Sequence, residues 1–162
     1  MVSSPSAGTS IDASWGQDVA LATGLLTTSD VTTSSAAFAD FTGLSFSCVS
    51  GKNYIVEVIG TYQHSTNTGG PILSFTQPGG SHRIVMQLAG ETAPDAFNTE
   101  AISANDGGAG VATAAAAATR YVIRGFGSYQ CTSSGTAKLR IARNTAGTAT
   151  FEKGFMLRVT GA

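Results

Sequence analysis

Charge is what this chain has least of. Asp, Glu, Lys and Arg make up 12% of its 162 residues, about half the usual share. The net charge is −1, and the Lys and Arg residues are scattered in singles. A nucleic-acid partner calls for a basic stripe that displaces counterions, so none is expected. Cysteine is scarce too, and Cys48 and Cys131 form no CxxC pair. They are expected to be reduced, buried, small apolar residues. No apolar run approaches the ~20 residues of a spanning helix, so no membrane partner is expected. The opening Met1 to Gly8 has neither the basic nor the apolar region of a secretory signal, and synthesis in a cytoplasm is the expectation.

Thr, Ser, Ala and Gly stand in for the missing charge, and hydrophobic residues make up 42% of the chain. A chain of this length fits one domain able to bury roughly two-thirds of its unfolded surface. Leu44 to Cys48 alternates apolar and polar with period two, and Ser50 to Asn53 reads as a hairpin turn. Tyr54 to Gln63 is the longest strand. Val56, Val58 and Ile59 make it apolar on both faces, which places it centrally in a sheet. Ile72 to Phe75, Arg83 to Leu88, Arg120 to Tyr129 and Ala137 to Arg143 read as further strands. The chain ends on one whose core face carries Phe155, Leu157 and Val159. Turns fall at Pro78 to Gly80, Ser133 to Gly135 and Asn144 to Gly147. About eight short strands at this spacing predict an all-β fold, a two-sheet antiparallel β-sandwich (jelly-roll-like). Thr92 to Thr119 reads as a long surface loop.

Helical spacing occurs only near the start, at Ile11, Trp15 and Val19. A helix this short needs a surface to rest on. Residues 1–23 therefore read as a short N-terminal attachment arm, and residues 24–162 as the sandwich domain.

Chemistry-bearing residues do not converge in the sequence. His64 and His82 lie at strand ends without metal-ligand spacing and read as surface histidines. No Gly-x-Ser-x-Gly elbow marks a nucleophile. Asn105 to Gly108 lacks the ligand order of a calcium loop. Glu57 falls inside the central strand and is expected at a solvated or subunit-facing position, paired with Arg124 across the sheet. A glycosidase would need a second carboxylate near it. No catalytic residue, metal or cofactor is assigned, and the chain is expected not to be an enzyme.

Two stretches resemble tailed-phage proteins. Gly8-Thr9-Ser10-Ile11, followed by Trp15-Gly16-Gln17-Asp18-Val19, is similar to the opening segment of many tail and fibre proteins. Thr32 to Phe46, followed by Ser50 to Tyr54, resembles the first strands of a small phage β-domain. Arg124-Gly125, Ser134 to Ala142 and Lys153 to Val159 resemble its close. The resemblance implies a jelly-roll body comparable to tumour-necrosis-factor-like and C1q-like heads, and a homotrimer. On that basis Tyr54, Tyr62, Tyr121, Phe126 and Tyr129 are candidates for the subunit interface, since aromatics are favoured there. Ile11, Trp15 and Val19 are candidates for attachment to other phage structural proteins, at the tail or baseplate or on the major capsid protein.

The resulting expectation is an exterior virion protein, associated with the tail or fibre and contacting a host surface receptor. The alternatives are a capsid decoration protein that cements the head and, from a different class, a carbohydrate-binding module.

Overall fold

The computed structural model describes residues 23–89, 97–110 and 117–161. Residues 1–22 of the attachment arm, with Ile11, Trp15 and Val19, lie outside them, and Thr23 opens the first strand. Every regular element among the described residues is a strand. In chain order these are β1 (Thr23–Leu26), β2 (Val31–Thr33), β3 (Ala39–Cys48), β4 (Asn53–His64), β5 (Pro71–Thr76) and β6 (Gly80–Ala89). They continue with β7 (Phe97–Ile102), β8 (Gly108–Gly110), β9 (Tyr121–Cys131), β10 (Gly135–Arg143), β11 (Ala149–Phe151) and β12 (Met156–Gly161).

Two antiparallel sheets result. The larger runs β1-β12-β4-β9-β6-β7, with β11 joining β2 to the far end of β4. The smaller runs β3-β10-β5-β8. This is the expected jelly-roll-like β-sandwich. Strand β4 is central, flanked by β12 and β9, as its two apolar faces require.

Side-chain alternation builds the core. Val56, Val58 and Tyr62 of β4 point inward with Ile123 and Tyr129 of β9 and Ile84, Met86 and Leu88 of β6. Leu73 and Phe75 of β5 meet them from the smaller sheet, together with Leu139 and Ile141 of β10. Strand β3 keeps strict period two from Leu44 to Cys48 and then slips. Its register against β10 shifts between Lys138 and Arg140, and Gly43 takes φ +83° there. A bulge of this kind adds residues to one strand, and it brings Phe41 back to the core side. Phe41 packs at 5.0 Å from Phe151 and 4.9 Å from Phe155, ring centre to ring centre.

Two expectations need correcting. Ser50 to Asn53 does turn, with Gly51 at φ +84°, but β3 and β4 do not pair. The turn carries the chain from the smaller sheet to the larger, as do Pro78 to Gly80 (β5 to β6) and Asn144 to Gly147 (β10 to β11). Ser133 to Gly135 returns it from β9 to β10. Turn chemistry is alike whether the following strand pairs with its predecessor or crosses the sandwich, so the sequence does not separate the two. The second correction concerns Thr92 to Thr119, which is not one loop. It contains β7, paired with β6, and β8, paired with β5. Their composition (Phe-Asn-Thr-Glu and Gly-Ala-Gly) gives little strand signal, and it is the neighbouring edges that recruit them.

Candidate assembly surface

The outward positions of the larger sheet form the most distinctive surface. Because β12, β4, β9, β6 and β7 are in antiparallel register, their outward residues line up in rows. One row reads Arg158, Glu57, Phe126, Val85, Ala101. The next reads Met156, Ile59, Arg124, Gln87, Thr99. Val122 extends the apolar strip beside Thr61.

This face is unusually apolar for an exposed one. Phe126 is 59% exposed and Ile59 50%, with Val85 and Val122 near 40%. Single exposed apolar residues need no explanation, but a contiguous set does. A shallow groove of about 420 Å³ runs between Phe126, Ile59 and Val85, over Arg124 and Gln87.

Two arginines of the face are engaged within the chain, while Arg83, outward on β6 opposite Ser128, is exposed. Arg158 Nη1 lies 3.2 Å from Glu57 Oε2. The Arg124 guanidinium sits over the Phe97 ring, 5.5 Å from its centre, a cation–π contact that spans from β9 to β7. Glu57 therefore pairs with Arg158, not with the expected Arg124. Register decides this, since Arg158 is directly opposite Glu57 while Arg124 is opposite Ile59. The cross-strand neighbours of Glu57 are Arg158 and Phe126, and neither offers the second carboxylate that glycoside hydrolysis needs.

Of the five aromatic interface candidates, the structure brings one onto this face. Phe126 stands at its centre. Tyr62, Tyr121 and Tyr129 point between the sheets and are at most 2% exposed in the single chain. Tyr62 donates a hydrogen bond to the Ala89 carbonyl at 2.7 Å, and Tyr129 to that of Gly79 at 2.9 Å. Tyr54 is half-buried against the core, stacked 5.8 Å from Tyr129. Phase explains the split, because even-numbered positions face inward on β4 and outward on β9. The residues that sequence reading missed as surface candidates are Ile59, Val85 and Val122. Their signal was present as apolar side chains at the outward phase of their strands.

The histidines are also placed differently from the surface positions expected. His64 is 1% exposed and His82 6%. His64 shares the inward phase of Tyr62, with its Nδ1 3.0 Å from the Thr66 carbonyl oxygen. His82 is in phase with Ile84 and meets the Phe75 ring edge-on at 5.0 Å. Burial pulls His82 below its ordinary pKa, partly offset by the Ala104 backbone. Among the described residues, no three His, Cys, Asp or Glu side chains gather as a metal would require.

A second polar cluster lies at the β4–β11 end. The Glu152 carboxylate accepts hydrogen bonds from Thr61 Oγ1 at 2.6 Å, Gln63 Nε2 at 2.5 Å and Arg120 Nε at 2.5 Å. Burial raises its pKa, but these three donors outweigh burial and hold it below the usual range. A carboxylate so fully engaged serves structure, tying β4 to the turn before β12. On the smaller sheet, Lys138 and Arg140 share Asp40, and Arg140 also reaches Asp106 at 2.5 Å. Asp106, in the Asn105 to Gly108 turn, is thus paired with an arginine.

No family model matches the chain, and no curated protein matches its sequence. Among solved structures, Eiger TNF from S. frugiperda is similar at 10% identity, covering 89% of this chain and 93% of that one, with a TM-score of 0.40. The Gx strain structure of infectious bursal disease virus is similar at 12% identity, covering 88% of this chain but only 39% of its own, with a TM-score of 0.30. The Gt strain structure gives 11% identity and a TM-score of 0.27, with 89% and 41% covered. At these values the likenesses carry no argument about activity or partners, and the sandwich rests on its own strand pairing.

Proposed function

We propose that this chain is a non-enzymatic structural protein of a tailed-phage particle's exterior. It assembles as a homotrimer, is held to the tail or fibre by its N-terminal arm, and contacts the host surface. The observation that carries the assembly part is the outer face of the larger sheet. Five strands of 6 to 12 residues, about 4.8 Å apart and rising about 3.3 Å per residue, make a face about 19 Å by 20–40 Å, the order of the roughly 800 Å² that each partner buries in a standard interface. Its centre is Phe126, Ile59, Val85 and Val122. Two of its three arginines, Arg158 and Arg124, are already engaged within the chain, which lowers the cost of covering them with a second copy. An apolar centre with engaged arginines and few carboxylates is the composition of a protein-covered surface. The phage assignment rests on the sequence resemblance at Gly8 to Val19 and in the body strands.

Immunogold labelling of intact particles with an antibody to residues 24–162 tests the placement. Label at the tail supports the proposal, and host-cell binding is then the next assay. Label spread over the head makes the chain a capsid decoration protein. A total lack of label on particles refutes the virion reading and leaves a cellular binding module to be tested by glycan pulldown.

A further inference from the structure

The two cysteines, far apart in sequence, arrive at the same point. Cys48 closes β3 in the smaller sheet and Cys131 closes β9 in the larger. The turns that follow them face each other and are stitched together. Gly51 N donates to the Cys131 carbonyl at 2.8 Å, and Cys131 N donates to the Lys52 carbonyl at 2.9 Å. Ser50 N donates to Ser134 Oγ at 2.9 Å, while Ser50 Oγ donates to the Thr132 carbonyl at 2.8 Å. Cys48 itself is in register with Gly135, at the far side of the second turn.

Inside this double turn the thiols share one neighbour. Cys48 Sγ is 3.4 Å from the Tyr129 hydroxyl, and Cys131 follows Tyr129 on the inward face of β9, its thiol donating to the Ser133 carbonyl at 3.2 Å. Both are free, and both are at most 2% exposed.

We propose that Cys48 and Cys131 are the halves of a latent disulfide across the two sheets, closed by exchange with a low-molecular-weight disulfide such as oxidised glutathione. The Cys48 thiol loses its proton and attacks one glutathione sulfur, and one glutathione thiolate leaves. The Cys131 thiol, deprotonated in turn, attacks the Cys48 sulfur of that mixed disulfide and expels the second thiolate. The two glutathione thiolates take up the two protons. The protein pair is oxidised by two electrons, and one oxidised glutathione becomes two reduced ones. Exchange needs a thiolate and access. Burial pushes the Cys48 thiol up, and its Cys131 neighbour does the same, partly offset by the hydrogen bond shared with the Tyr129 hydroxyl. The closed fold therefore reacts slowly, and the bond forms while the chain folds or when the double turn opens. Once formed, it joins the ends of two strands on different sheets, which restricts the unfolded chain across a long loop. The inference does not depend on the phage reading.

The test is to refold the full chain in a buffer of oxidised and reduced glutathione, quench with acid, then denature and alkylate. The expected product takes up no alkyl group, weighs two hydrogens less than the reduced chain, and yields a cross-linked peptide pair containing Cys48 and Cys131. The same product is expected when native chain is held with oxidised glutathione near its melting temperature. Should both preparations keep two alkylatable thiols, carry glutathione adducts, or form only links between chains, the proposal is overturned.

Discussion

Truncating Phe41 separates the two roles that phenylalanine plays here. Phe41 is 2% exposed and is the point where the smaller sheet touches Phe151 and Phe155 of the larger. Phe41→Ala removes a buried ring and leaves a cavity, which costs about 3–5 kcal/mol. Part of that is the two tilted ring contacts, worth roughly 0.5–1.5 kcal/mol each. For a domain of this length each kcal/mol moves Tm by about 2–4 °C, so the melting point should fall by about 6–20 °C. Phe126→Ala removes the same ring from a site 59% exposed. In a dilute, dissociated chain it should change stability by less than about 0.5 kcal/mol. Urea denaturation of both variants, followed by tyrosine fluorescence and circular dichroism, measures the difference. A Phe41→Ala loss below about 1 kcal/mol, or one matched by Phe126→Ala, would refute the assignment of the Phe41 cluster as the clamp between sheets.

Gly60→Ala should destabilise by about 1–3 kcal/mol in the same denaturation assay, because a Cβ there would sit 2.1 Å from the buried Phe155 ring. A neutral result would mean that the aromatic cluster has room to yield. Stability should also depend on pH through His82. Burial keeps its folded pKa below the ordinary 6.5, so the unfolded chain binds the proton first. Its contribution is full above about pH 6.5 and is lost as pH falls below that, by at most about 1.4 kcal/mol per pH unit for one proton. His82→Leu should flatten that slope in urea titrations between pH 7 and 5, and an unchanged slope would assign it to another group.

The fold was legible because alternation and turn residues are local. Leu44 to Cys48 and Phe155 to Val159 announce their inward faces residue by residue, and the two-faced apolar run at Val56 to Ile59 announces a central strand. What was hidden depends on pairing. Whether Ser50 to Asn53 closes a hairpin or crosses between sheets is decided by β10 competing for β3 and by β9 and β12 competing for β4. Strands β7 and β8 exist because β6 and β5 offer them an edge, not because Phe97 to Ile102 or Gly108 to Gly110 favour extension. The interface residues were hidden for a related reason. An aromatic in a strand is core or surface according to phase, so Tyr129 and Phe126 look alike in composition but face opposite ways. Glu57 illustrates the same limit, its partner being set by a register visible only once β12 is docked.

Sedimentation velocity on the full chain, with and without paired Phe126→Ser and Ile59→Ser substitutions, tests the central claim most directly. The account predicts that the unaltered chain sediments at three times its 16.4 kDa mass. The substituted chain should sediment as a single copy, with its circular dichroism unchanged. A wild-type chain that stays monomeric, or a trimer indifferent to losing both side chains, would contradict self-assembly through the outer face of the larger sheet.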